Sequence, residues 1–123
     1  MNQQGAIELV GRHVHFVGIG GCGMSGLARI VRAGGATVTG SDMNRSAVTD
    51  ALRDEGIDVA LEQTAESLPA DCDLVVISAA VKWDHPEVLE AERRGVEVVK
   101  YAAMLGRLMT ARIGVAVAGT HGK

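Results

Sequence analysis

The run His15-Phe16-Val17-Gly18-Ile19-Gly20-Gly21-Cys22-Gly23-Met24-Ser25-Gly26-Leu27-Ala28 sets the architecture of this chain. Residues 14–18 read as an apolar strand that ends in glycine. Residues 21–33 read as a helix, because Met24, Leu27, Ala28 and Val31 recur at helical spacing and Arg29 and Arg32 take the far side. Between them Gly18-Ile19-Gly20-Gly21-Cys22-Gly23 fits G-x-G-x-x-G. In that pattern the first glycine permits the tight turn, the second lets backbone approach a pyrophosphate, and the third allows close helix–sheet packing. The helix start beyond it offers unpaired N–H groups to an anion. A β-branched residue at Gly20 is expected to block that approach and to resist a glycine-only φ. A glycine-rich turn without a ligand is the plainer alternative.

Outward from this unit the strand–helix alternation repeats. Strands are predicted over 37–40, 57–61, 74–77 and 96–99, and helices over 46–55, 84–94 and 102–109. The second helix is expected to bury Ala47, Val48 and Leu52. Leu74-Val75-Val76-Ile77 is apolar throughout, as in a central strand buried on both faces. A last strand is expected over 114–118. The pattern predicts an α/β, Rossmann-like, doubly wound parallel sheet of about five strands in the order 3-2-1-4-5, with helices on both faces. The ligand crevice then lies where the order reverses, between strands 1 and 4.

Composition agrees. The chain has 123 residues, about one domain. Sixteen glycines in 123 residues is nearly double the usual share of about 7%. Phe16, Trp83 and Tyr101 are the only aromatics other than histidine. Twelve basic against fifteen acidic residues give a net charge of −3, which argues against a nucleic-acid footprint. The almost uncharged run 16–28 is about 13 residues, too short to span a bilayer, and its flanks do not suit a signal peptide. No membrane insertion is expected. Cys22 and Cys72 form no CxxC, so reduced thiols and a cytoplasmic location are expected.

Further residues point to ligand chemistry. Asp42, at the end of Gly40-Ser41-Asp42, lies where an acidic residue meets a ribose hydroxyl; a turn or capping aspartate is the alternative. Ser78-Ala79-Ala80 follows the fourth strand with small side chains that leave room for a base or sugar, or that simply pack. Gly119-Thr120-His121-Gly122-Lys123 looks like the close of a phosphate loop, with Val117 where the first glycine should stand and no Ser or Thr after the lysine. His13 and His15 share one strand face. A polar strand edge is preferred there over a metal pair, and no metal site is expected. Cys22 and Trp83 are expected to pack.

Taken together, the glycine run, Gly40-Ser41-Asp42, Ser78-Ala79-Ala80-Val81 and Ala116-Val117-Ala118-Gly119-Thr120-His121-Gly122-Lys123 resemble the Mur ligase family, from about Arg12 onward. The resemblance is strongest to members that join L-alanine to UDP-N-acetylmuramate. The relative that recycles murein tripeptide has a glycine loop less like Gly20-Gly21-Cys22-Gly23-Met24-Ser25. Such ligases have three domains: one for the UDP end of the substrate, one for ATP and Mg²⁺, and one that closes over the site. The resemblance implies a UDP-sugar-binding domain over 1–111. It also implies the first strand and a severed phosphate loop of the ATP domain over 112–123, as in a fragment cut at Lys123. By it, Gly18, Gly20, Gly21, Cys22, Gly23, Met24 and Ser25 wrap the pyrophosphate. Ser41 and Asp42 meet the uridine, and Ser78 and Ala79 line its other side. Gly119, Thr120, His121, Gly122 and Lys123 belong to the ATP site of a complete enzyme, whose partners are UDP-N-acetylmuramate and L-alanine. The fragment alone is expected to bind but not to catalyse. Two other classes share the glycine fingerprint: an NAD-binding domain of an oxidoreductase and a nucleotide-sensing regulatory module.

Overall fold

The computed structural model describes residues 9–109. Along them run β1 (His13–Val17), α1 (Met24–Ala33), β2 (Thr37–Ser41), α2 (Ala47–Asp54), β3 (Asp58–Ala60), β4 (Leu74–Ile77), α3 (Pro86–Arg94) and β5 (Glu97–Lys100), then a helix α4 over 101–109. A single 3-10 turn, Ala65–Ser67, precedes β4. The strand order is β3-β2-β1-β4-β5 with every pairing parallel, as expected from the alternation. The strand expected over 114–118, the 111/112 boundary and Gly119 to Lys123 lie outside the described residues.

Side-chain alternation along β1 builds both layers. Val14 and Phe16 enter a cluster with Met24, Leu27, Ala28 and Val31 of α1, Leu52 of α2, and Met104 and Leu108 of α4. Val17 enters the opposite cluster with Val75, Ile77, and Val88 and Ala91 of α3. Helices therefore cover both faces of the sheet.

Local chemistry sets the ends of the elements. α1 begins at Met24, three residues later than expected, because Gly23 holds φ at 83°, outside the helical region. β1 stops at Val17 because Gly18 turns at φ 78°. α2 opens on a capping box: Ser46 Oγ accepts the Thr49 N–H (3.2 Å) and Thr49 Oγ1 accepts the Ser46 N–H (2.9 Å). That box aims Thr49 inward. The buried positions of α2 are Thr49 and Leu52, and the expected Ala47 and Val48 are exposed. α3 starts with Pro86 in its first turn and ends at Gly95 in the left-handed region, φ 78°.

Candidate functional site

The glycine turn is braced by the neighbouring strand. The N–H groups of Gly18 and Ile19 both donate to the Ser41 carbonyl, at 2.8 and 3.0 Å. The Gly21 N–H donates to the Gly18 carbonyl at 3.0 Å. The Gly20 N–H donates to Asp42 Oδ2 at 2.9 Å, and Asp42 Oδ1 accepts the Asn44 N–H at 2.9 Å. Asp42 thus locks the turn after β2 onto the turn after β1. Among the described residues, the Cys22 and Gly23 N–H groups have no hydrogen-bond acceptor. Gly23 caps α1 with no side-chain bond, and the first turn holds no acidic residue. The positive end of α1 is therefore open to an anion.

The strain sits elsewhere than expected. Left-handed φ values fall on Gly18 and Gly23, not on Gly20. Gly20 is required for space: a β-carbon there would stand 2.9 Å from Asp42 Oδ2 and 3.0 Å from Thr49 Cγ2. Gly23 is a site of close packing, as the motif implies, but against Tyr101 of α4 and not against the sheet, and a second tight approach falls on Gly40. A β-carbon on Gly40 would stand 2.5 Å from Ile19 Cδ1. At Gly23 the Tyr101 hydroxyl would lie 2.9 Å from an added β-carbon.

A cavity of about 450 Å³ opens at the carboxyl ends of β1, β2 and β4, where the strand order reverses. Gly18, Asp42 and Ser78, all singled out in the sequence, meet on its wall. Gly20, Gly21, Cys22, Gly23, Met24, Ser25, Ser41 and Ala79 do not line it. Met24 is a core residue, and Ser41 is fully buried. Ala80 and Val81, from the small-residue stretch also quoted in the sequence, join them, and the rest of the wall escaped sequence reasoning: Met43 and Asn44 after β2, Gln63 after β3, and Lys82, Asp84 and His85 after β4. Of these, Lys82 alone carries a fixed positive charge.

Behind the wall lies a buried polar cluster centred on Glu87, which is fully buried. Its carboxylate accepts from Ser41 Oγ (2.5 Å), from Ser67 Oγ and from His15 Nε2 (3.3 Å). Burial opposes its ionisation, yet His15 and the two hydroxyls outweigh that and hold its carboxyl below the ordinary glutamate range. The polar strand edge expected for His13 and His15 is not found. β1 is flanked by β2 and β4, so both histidines are buried inside the sheet. His13 Nε2 and His15 Nδ1 meet Thr39 Oγ1 at 2.9 and 2.8 Å, and His13 Nδ1 meets Asp71 Oδ1 at 2.9 Å. The carboxylates arrive from 58 and 72 residues away, which is why spacing did not show them. Two other expectations of packing fail. Cys22 is exposed, and Trp83 is 51% exposed with Lys100 Nζ 5.8 Å from its ring centre. Cys72 is buried, and burial pushes its thiol up to about 11. Among the described residues, no group of three His, Cys, Asp or Glu side chains is placed to hold a metal ion. None of their helices is long and apolar enough to cross a membrane.

The family model described as "Mur ligase family, catalytic domain" matches residues 13–113. The chain belongs to the Mur ligase family. This Mur ligase chain is 51% identical over 110 residues to the UDP-N-acetylmuramate–L-alanine ligase of Carboxydothermus hydrogenoformans, covering 89% of its own length and 24% of that protein. It therefore spans about a quarter of the length of the curated relatives it matches. Among solved structures it resembles the UDP-N-acetylmuramate–alanine ligase MurC of Thermotoga maritima, with TM-score 0.72 and 33% identity over 76% of this chain and 21% of that one. It also resembles a murein peptide ligase, Mpl, from Psychrobacter arcticus, with TM-score 0.71 and 31% identity over 77% of this chain and 20% of that one. These likenesses support the ligase reading over the oxidoreductase and sensor alternatives.

Proposed function

We propose that this Mur ligase chain binds the UDP end of UDP-N-acetylmuramate, as part of an enzyme that joins L-alanine to that sugar at the expense of ATP. The observation that carries the reading is a coincidence in space. The glycine turn that leads into the open end of α1 puts Gly18 on the wall of the 450 Å³ cavity at the switch point of the sheet. The chain is also 51% identical to a protein named for this reaction.

In this reading the pyrophosphate takes the free N–H groups of Cys22 and Gly23, where the α1 dipole favours negative charge. Cys22 contributes its backbone, so its side chain is not required. The uridine half lies in the cavity against Asp42, Asn44 and Gln63, with Ser78 and Ala80 leaving room opposite. Ser41, buried and off the wall, serves behind it, and Ala79 is exposed and does not line the cavity. ATP and Mg²⁺ are assigned to Gly119, Thr120, His121, Gly122 and Lys123 by their motif alone. Turnover is assigned to the full ligase, with this quarter of its length supplying binding; the expected setting is the cytoplasm.

Isothermal titration of this chain with UDP-N-acetylmuramate, UDP and NAD tests the reading. The expected order of affinity is UDP-N-acetylmuramate, then UDP, then NAD. Tighter binding of NAD than of the UDP-sugar would overturn it.

A further inference from the structure

Gln63 and His85 reach the cavity wall from two different loops, and both are tied to one residue that never touches the cavity. His85 is the N-cap of α3, and its Nδ1 accepts the Glu87 N–H at 3.1 Å. A backbone N–H only donates, so Nδ1 carries no proton there, and the ring is the neutral tautomer with its proton on Nε2. That Nε2–H faces Gln63 Oε1 at 3.1 Å, which must be the acceptor. The amide nitrogen of Gln63 is thereby turned to Ser41 Oγ, at 3.2 Å. Ser41 in turn donates its hydroxyl proton to Glu87 Oε1, at 2.5 Å. The hydrogen bonds form a ring that starts at the Glu87 N–H, ends at the Glu87 carboxylate and runs in one direction throughout.

We propose that Glu87 is a positioning residue for ligand binding: by closing this ring it fixes which way the Gln63 amide faces the cavity. The inference rests on the reading of that cavity as the nucleotide site. Within the ring Gln63 Nε2 spends one N–H on Ser41, and Oε1 spends one lone pair on His85. One N–H and one lone pair remain, a donor beside an acceptor, which suits the amide-like edge of a nucleobase. A freely turning glutamine would offer both orders and so select less well. Glu87 is fit for the role because it is fully buried and anchored on its other oxygen by His15 and Ser67.

The test follows the Gln63 side-chain NH₂ by ¹⁵N relaxation in this chain, together with titration of UDP. In the wild type the NH₂ pair is expected to be ordered. Ser41→Ala removes the link between Gln63 and Glu87, and Glu87→Leu removes the final acceptor. Both are expected to bring the pair to the mobility of a free glutamine and to weaken UDP binding about tenfold, the effect of losing roughly one hydrogen bond. Glu87→Gln keeps an oxygen for Ser41 and is expected to restore order, which a merely structural role would not require. If Glu87→Leu does not fold, Ser41→Ala decides the matter alone. A Gln63 amide equally mobile in the wild type, or equally ordered in Ser41→Ala, overturns the proposal. If the wild type shows no UDP binding, the nucleotide reading fails, and the ordering of Gln63 by Glu87 is still judged from relaxation.

Discussion

Gly40 shows how a single missing side chain shapes this site. It sits in β2 opposite Phe16 of β1, and Ile19 lies directly over it. A β-carbon would meet not only the tip of Ile19 but also its Cβ, at 2.6 Å, and Cγ2, at 2.8 Å. These atoms lie near the backbone and cannot swing away, so the turn itself would have to move. Gly40→Ala is expected to cost about 1–3 kcal/mol, the usual range for forcing volume into a packed region. Ile19→Ala in the same chain should recover part of that loss, because it removes the Cδ1 and Cγ2 contacts and leaves only the one with Cβ. Urea denaturation of the two single variants and the double variant measures this as a coupling. Strictly additive effects would show that the Ile19 atoms beyond Cβ are not what excludes the side chain. The tight approach at Gly40 was not legible in the motif, because a fingerprint fixes spacing along the chain, whereas which atom crosses over which glycine is settled by tertiary contact.

At the scale of elements, α2 depends on its first turn. It spans only Ala47–Asp54, too short to persist on propensity alone. The Ser46–Thr49 box satisfies two otherwise unpaired N–H groups and directs Thr49 toward Gly20. Ser46→Ala is expected to destabilise the chain by about 1 kcal/mol. Thermal unfolding followed by circular dichroism checks it, and an unchanged midpoint would mean that the box is dispensable. The elements themselves were legible in the sequence because short apolar runs and helical spacing alternate between glycine stops such as Gly34-Gly35, Gly56 and Gly95. Gly18, Asp42 and Ser78 were legible as wall residues for a related reason: each follows the end of a parallel strand at the switch point. Gln63 and His85 were not. They lie on loops whose path depends on the 3-10 turn Ala65–Ser67 and on a hydrogen-bonded ring that exists only once β2 and α3 have come together. The histidines of β1 were misread although the predicted order 3-2-1-4-5 made their strand central, because the partners that allow their burial, Thr39, Asp71 and Glu87, come from other elements.

For the molecule as a whole, the buried carboxylate of Glu87 ties stability to pH. It joins β1 through His15, β2 through Ser41 and the 3-10 turn through Ser67, so much of the sheet's polar face depends on one charge. Its carboxyl is held below the ordinary value of 4.5 in the folded state. A carboxyl lowered on folding contributes stability that is fully present above its unfolded value and is lost as pH falls through the folded one. Glu90 is also lowered, to about 2, by Arg93 and Arg94, and Glu55 is lowered by Arg29. Arg29, Glu55 and Arg93 are exposed, so solvent screens those pairs and they weigh less. The unfolding temperature is therefore expected to change little through this group between about pH 7 and pH 5, and to fall below about pH 4.5 as it gains a proton. Glu87→Gln cannot make that change. It should unfold at a lower temperature than the wild type near neutrality, and the gap should narrow steadily toward pH 3. Calorimetric scans of both proteins from pH 3 to 7 measure the gap directly. A difference that stays constant across the acid range would show that Glu87 binds its proton equally well folded and unfolded, and that the charge does not hold the three elements together.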